Sequence, residues 1–466
     1  MRNVLKSLCV TVGLIGLSAT YVHAEQFDTS FSGDGQYTVS FASKDRAAIA
    51  MLELPDGGHV LISTCPAVAG NSNACLAKST LNANGGLVVS SEGGFNGIET
   101  ITGAAVDSRG RYVVIGTSVP GVNGLRNFRA IRFFPDGNND ASFGSIDGVE
   151  VDFFGLDDYA TAVAIDANDN VVIVGQAGSG TTDTEFGIAR FRAADGALDT
   201  SFGNAGKTAI AFDLGPTQKI DLPKAVAIAA SGGRISIAGI AYDSAISRFR
   251  VALVRINSNG ALDTTFCPTS CTLQGSYTAI NNGRRVYYFG ANTAHTDTPF
   301  GIALAGNGDF FIVGETYAAD GSAKRAAIAR FSSSGDYAAE ALNDGLGNNA
   351  AYRSVQVSDA NAQRVLVAGD SGPNGNYLLL QAFSSGLSPL AGYGDCLNNT
   401  AFCFIGGAGI GDNGPDQAGM LGLDRSGRPI YAGTFVASSG DYRKSLFARF
   451  TNNTGPKPDR IFRNGF

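Results

Sequence analysis

Seven times along this 466-residue chain, at a mean spacing of about 62 residues, a short apolar segment ends in a small residue, usually glycine. A second segment follows each time and closes on Ala-Arg-Phe or a variant of it. The first set of ends falls at Ser63, Gly116, Gly175, Gly239, Gly314, Gly369 and Gly433. The second marker falls at Lys78, Arg132, Arg190, Arg255, Arg330, Gln381 and Arg449. A repeat of this period constrains a fold more tightly than any single motif, because each unit is one small module that must bury its apolar faces against its neighbours.

The third copy shows the module most clearly. Thr161-Ala162-Val163-Ala164-Ile165-Asp166 reads as a strand of small and branched residues, and Ala167-Asn168-Asp169-Asn170 has the composition of a tight turn. Residues 171–175 return as an apolar strand, and 186–191 form a third after a Gly/Thr/Ser loop. Leu198-Asp199-Thr200-Ser201-Phe202-Gly203 then leads through Gly206 into a fourth strand over 207–212. No helical period is present. The fold class is therefore all-β, with four short antiparallel strands per repeat. Small residues on the first strand (Gly103, Ala162, Ala225, Gly301) suit a crowded inner edge, and larger residues on later strands suit wider gaps outside. Radial stacking into a seven-bladed β-propeller satisfies both, with six or eight blades as alternative counts. A β-helix would use shorter, more regular periods, and separate sandwiches would need larger cores than about 60 residues supply.

The chain ends predict how the ring closes. Phe27-Asp28-Thr29-Ser30-Phe31 matches residues 198–202, and the last copy stops at Ala448-Arg449-Phe450, where such a segment comes next. The N-terminal strand is thus expected to complete the seventh blade. Pro458-Asp459-Arg460-Ile461-Phe462 is the rival for that slot, with poorer spacing.

The segment at 198–203, Leu262-Asp263-Thr264-Thr265-Phe266 and the Ala-Arg-Phe endings resemble the delta-60 repeat family of bacterial proteins. The resemblance covers nearly the whole chain after residue 24. It is sharp in the second to fourth copies and degenerate in the first, fifth and sixth. It implies a propeller-like architecture in exported proteins, and supplies no chemistry and no catalytic residues. The ending Pro458-Asp459-Arg460-Ile461-Phe462-Arg463-Asn464-Gly465-Phe466 is similar to a tail on secreted proteins of some Gram-negative bacteria, which implies a sorting or processing signal.

Residues 1–24 read as a secretory signal: Arg2 and Lys6, a short apolar run, then Val22-His23-Ala24. The run is too short to cross a bilayer, and no transmembrane segment is expected after it. The repeat domain is placed at 25–455 and the tail at 456–466. A net charge of −7 without a basic cluster argues against nucleic acid as partner. After Cys9, six cysteines form local pairs, Cys65 with Cys75, Cys267 with Cys271 and Cys396 with Cys403, which in an exported chain read as disulfides. Each would contribute roughly 2–3 kcal/mol by closing a short loop.

Aligned copies expose an acidic column. Asp45, Glu99, Asp158, Asp221, Asp297 and Asp416 each stand eight residues before the end of the first strand, with Ala351 in the sixth copy. This puts carboxylates at one mouth of the central channel. They would bind a cation or basic ligand, or they would organise their own blades by pairing with the arginine column. The second reading is favoured, because Arg190 alternates in phase with Phe186 and Ile188 and a buried arginine needs a partner.

Other motifs are thin. Gly409-Ile410-Gly411-Asp412-Asn413-Gly414 spells a dinucleotide fingerprint without the strand and helix it requires. Asp166, Asn168 and Asn170 alternate as in a calcium loop but lack its glycine and glutamate, and read as a hairpin turn. Two histidines follow the signal. His59, after Asp56-Gly57-Gly58, reads as a turn residue, and His295, two residues before Asp297, reads as an exposed loop residue that a hydrolase would use first. They are too few for a histidine-ligated metal. Tryptophan is absent, so a sugar-stacking platform would fall to Tyr287, Tyr288 and Phe289, whose alternation instead suits core packing. No nucleophile elbow or phosphate loop occurs.

The resulting expectation is a monomeric, secreted or periplasmic/cell-envelope, non-enzymatic scaffold that binds a protein or glycan. No catalytic, cofactor or metal residue is assigned. Its ligand is expected at the irregular stretches 264–299 and 390–416. The competing class is a secreted hydrolase or lyase working at the channel mouth.

Overall fold

The computed structural model describes residues 28–33, 35–39, 47–65, 74–94, 97–118, 124–180, 182–268, 282–291, 295–318, 320–343, 349–358, 364–371, 377–390, 403–405, 420–424, 426–436 and 443–450. Their apolar runs pair as antiparallel hairpins into seven four-stranded sheets. The third sheet, from the axis outward, is Tyr159–Ile165, Val171–Gly178, Thr184–Phe191 and Lys207–Ile210. The innermost strands of the other blades are Ala48–Glu53, Ile98–Val106, Asp221–Ile228, Thr298–Leu304, Ala351–Val357 and Leu421–Leu423. The fold is a seven-bladed β-propeller.

Ring closure follows the expected route. The seventh blade takes Leu421–Leu423, Pro429–Val436 and Arg443–Arg449 from the chain's end and Gln36–Val39 from its start. Gln36 pairs with Ala448 and Val39 with Ser445.

A blade buries both of its faces, so strands such as Val171–Gly178 are apolar almost throughout. The larger apolar clusters among the described residues each span the gap between two neighbouring blades: Phe186, Val226 and Ile237 join the third to the fourth. Phe31, Leu61 and Phe447 join the seventh to the first. Stability therefore resides in the interfaces between blades, as in other quasi-one-dimensional repeats.

One irregularity recurs at the axis. The pairing of the first two strands slips by one residue in blades one to six, leaving one extra residue on the inner strand. The extra residues are Ile49, Thr102, Thr161, Lys224, Phe300 and Arg353, and blade two has a second slip at Glu99. A bulge of this kind bends its strand and re-aims one side chain. It also accounts for the repeated glycine. A Cβ at Gly116, Gly175, Gly239, Gly314 or Gly369 would lie 1.9–2.3 Å from a carbonyl oxygen of the bulged strand opposite. The first copy carries Ser63 there, with its hydroxyl on Ser445. Gly175→Ala is therefore expected to cost about 1–3 kcal/mol through overpacking. Gly386→Ala, whose added Cβ would meet nothing nearer than the Ser384 hydroxyl at 3.9 Å, should stay within about 0.5 kcal/mol. Urea unfolding of the two variants checks this; equal midpoints would refute the steric account.

Candidate functional site

The acidic column sits where the chain enters each innermost strand, and three of its members are buried there. Asp158 accepts hydrogen bonds from the amides of Phe153 (2.9 Å) and Gly178 (2.9 Å). Asp221 accepts from Phe212 (2.6 Å) and Asp297 from Phe289 (3.2 Å). Each carboxyl thus ties its own blade to the chain arriving from the preceding one. Burial pushes all three up to about 7, against the pull of the amide bonds. Glu99 differs: it is half-buried, meets the Arg126 Nε at 2.7 Å, and is held low by that hydrogen bond. Asp45 and Asp416 lie outside the described residues. In the sixth copy the strand register puts Ala350, not Ala351, at this position.

The arginine column has other partners than those expected. Arg190 Nε donates to Asp199 (2.8 Å), Arg132 Nε to Asp140 (2.7 Å), Arg255 Nε to Asp263 (2.8 Å) and Arg449 Nε to Asp28 (2.8 Å). These aspartates open the Asp-x-Ser/Thr-Phe segments, and the rest of the segment serves the same guanidinium. The serine or threonine hydroxyl accepts from Nη2, and the phenylalanine ring lies beneath at 4.6–4.9 Å. Nη1 then reaches the next blade: Arg132 bonds the Ala193 carbonyl, Arg190 that of Ser258, Arg255 that of Ser333, and Arg449 that of Ala83. Arg330 does likewise to Ser385 while pairing with Asp309, and Lys78 bonds the Gly137 carbonyl. In blade six the register puts Ala382, not Gln381, at this position, and Gln381 belongs to a buried group with Tyr352 and Asn343. The most repeated charges are latches between blades.

His59 is not a turn residue. It begins the strand His59–Cys65, is fully buried edge-on to Phe31, and is driven down to about 3 by burial with the Arg449 and Arg428 charges nearby. His295 is half-buried against the Tyr317 ring, its carbonyl accepting from Arg250. The carboxyl of Asp297 is engaged by Phe289 and is buried, so the two form no catalytic pair. Tyr287, Tyr288 and Phe289 are buried, which removes them as a sugar platform. Asp166 caps its hairpin by accepting from the amides of Asn168 and Asn170. Cys65 and Cys75 are direct partners in the strand register, and Cys267 is buried beside Gly335. Cys271, Cys396 and the glycine motif at 409–414 lie outside the described residues.

What the columns leave open is the axis. A cavity of about 190 Å³ is lined by bulged residues of five consecutive blades: Thr102, Thr161, Lys224, Phe300 and Arg353. The bulged residues are partly exposed between more buried neighbours. Arg353 stacks on the Phe300 ring at 4.1 Å and grips Asp370 through Nε (2.5 Å) and Nη2 (3.1 Å). Gln356 and Ser354 bond the Leu421 backbone of blade seven, fixing the far wall. Polar and apolar groups converge here in the manner of a small-ligand site.

A family model described as "Domain of unknown function (DUF5122) beta-propeller" matches residues 110–143, 167–202 and 232–266, which fall within the second, third and fourth blades. The chain is a β-propeller repeat protein. No curated protein sequence matches this propeller. Among solved structures, the polysaccharide lyase Uly1 is similar over 87% of this chain and 90% of its own, with 11% identity and a TM-score of 0.51. A protein of unknown function from Dyadobacter fermentans DSM 18053 is similar over 89% and 97%, at 11% identity and TM-score 0.40. A puromycin hydrolase S511A mutant is similar over 85% of this chain and 51% of its own, at 13% identity and TM-score 0.41. At such identities the likeness to Uly1 is one of fold alone.

Proposed function

We propose that the chain is an exported, non-enzymatic propeller of the delta-60 repeat type that binds a protein or glycan. One observation carries this reading. Among the described residues the channel-mouth carboxylates are engaged internally, three on main-chain amides and Glu99 on Arg126. A hydrolase or lyase built on them would need carboxyls that a substrate can reach, and Asp158, Asp221 and Asp297 are at most 1% exposed. Rigid blades with irregular connections suit recognition by loops instead. The stretches 264–299 and 390–416 remain the proposed ligand surface. The reading places the protein in the periplasm, at the envelope or outside the cell, as a monomer.

Residues 25–466, purified and applied to a glycan array and to envelope proteins, should give saturable binding with no depolymerised or unsaturated product from any bound polysaccharide. Turnover of a bound glycan would overturn the non-enzymatic reading. Export also implies three disulfides, Cys65–Cys75, Cys267–Cys271 and Cys396–Cys403, which the register pairing of the first two residues supports. Alkylation before and after reduction should label no cysteine and then six. Labelling before reduction would remove the bridges from the proposal.

A further inference from the structure

Among the described residues, the charges around the axial cavity do not sum to zero. Arg353 is matched by Asp370, and Glu315 by Lys324 Nζ at 2.6 Å. Lys224 projects from its bulge between buried Pro223 and Ala225, and it makes no hydrogen bond or ion pair with any described residue. The residue is half-buried, and burial alone pulls its ammonium below the ordinary lysine range. A partly desolvated cation without a counter-ion is costly. The bulge itself offers a way out, since this residue could be any other without disturbing the strand ladder, as its counterparts Ile49, Thr161 and Phe300 demonstrate.

We propose that the axial cavity binds a small organic carboxylate, which serves as the counter-ion of Lys224. Its body would lie along Phe300, Ile302, Val226 and Met420, which line the same space. Arg353 lines the same cavity, and its Nη1, which is outside the Asp370 and Glu315 contacts of Nε and Nη2, would be a second donor. One uncompensated charge calls for a monoanion, because a dianion would leave excess negative charge beside Asp370 and Glu315. At about 190 Å³ the cavity exceeds the roughly 150 Å³ that admits benzene in an engineered protein core, enough for a short-chain or single-ring acid. The inference rests on the axis and not on the loops, so it stands or falls separately from the loop-binding reading above.

Calorimetric titration of the intact chain with benzoate, acetate and the neutral isostere benzamide tests it. At least one of the two acids should bind at a single site, and where benzoate binds, benzamide should be at least tenfold weaker. Lys224→Gln should weaken the acid at least tenfold while its thermal midpoint holds or rises, since the substitution removes an unpaired charge. Thr161→Glu supplies an internal carboxylate from the neighbouring blade and should abolish acid binding by a different route. The proposal is overturned if benzamide matches a benzoate that binds, if either variant binds the acid like the parent, or if neither acid binds at up to about 10 mM.

Discussion

Asp28→Asn should lower the unfolding free energy of the propeller by about 3–5 kcal/mol, the range found when one partner of a buried ion pair is removed. Asp28 receives Arg449 Nε at 2.8 Å and Arg428 Nη1 at 2.7 Å, and Arg449 is 2% exposed. The substitution leaves the buried Arg449 guanidinium without its carboxylate, while Arg428 keeps Asp424 on Nε. It also loosens the contact that joins the two ends of the chain, across a separation of 421 residues. Arg449→Met should cost less, because Asp28 keeps Arg428 and the Ser30 hydroxyl (2.6 Å). The double variant should be less destabilised than the sum of the two, since they share one network. Urea unfolding at neutral pH decides it: a loss below about 1 kcal/mol for Asp28→Asn would put this pair on the scale of exposed ones and refute the latch.

Stability should fall as pH rises from about 4.5 to 6.5. The sign comes from the groups that change protonation between the two states. Asp158, Asp221 and Asp297, raised to about 7 in the fold, stay protonated where the unfolded chain has ionised, so each lowers stability by up to about 1.4 kcal/mol per pH unit in that window. His59, lowered to about 3, works in the opposite direction, because the unfolded chain binds a proton there that the fold refuses. Three acids against one histidine leave two protons, a net slope of at most about 3 kcal/mol per unit. The latch aspartates Asp28, Asp140, Asp199 and Asp263 are held low, so their contribution is complete above the ordinary aspartate range and is lost only in stronger acid. Maximum stability is therefore expected near pH 4–5. Asp297→Asn should flatten the slope by about one proton, since its Oδ1 has no hydrogen-bond partner of good geometry to lose; Asp221→Asn provides an independent check. Denaturant midpoints that stay level or climb over this interval would sink the assignment.

The architecture was legible because period and phase survive sequence drift. Seven strand ends gave the blade count, and the match of Phe27-Asp28-Thr29-Ser30-Phe31 to residues 198–202 gave the closure. The chemistry of the columns was legible only in part. Arginine needed a partner, but the nearer acidic column drew the pairing away from the aspartates eight or nine residues downstream, which do the work. His59 was misplaced because its glycine-rich approach suggests a turn. Its column mates Tyr112, Val171, Ile235 and Phe310, each first in its strand, mark a core position. The bulged residues escaped notice for the opposite reason: Thr161, Lys224, Phe300 and Arg353 share no chemistry, and only the glycine facing each bulge betrays it. Invariance among copies reported the scaffold, and variation reported the cavity.

The bulges also separate two kinds of selection within one strand. A residue paired in the ladder answers to its neighbours across the gap between blades, whereas the inserted residue stands outside the ladder and, from the second blade to the sixth, lines the axial cavity. Each blade thus contributes one independently replaceable letter to a circular word, written here from the first blade to the sixth as isoleucine, threonine, threonine, lysine, phenylalanine and arginine. Rewriting that word would alter what the ring holds while leaving its blades and latches in place.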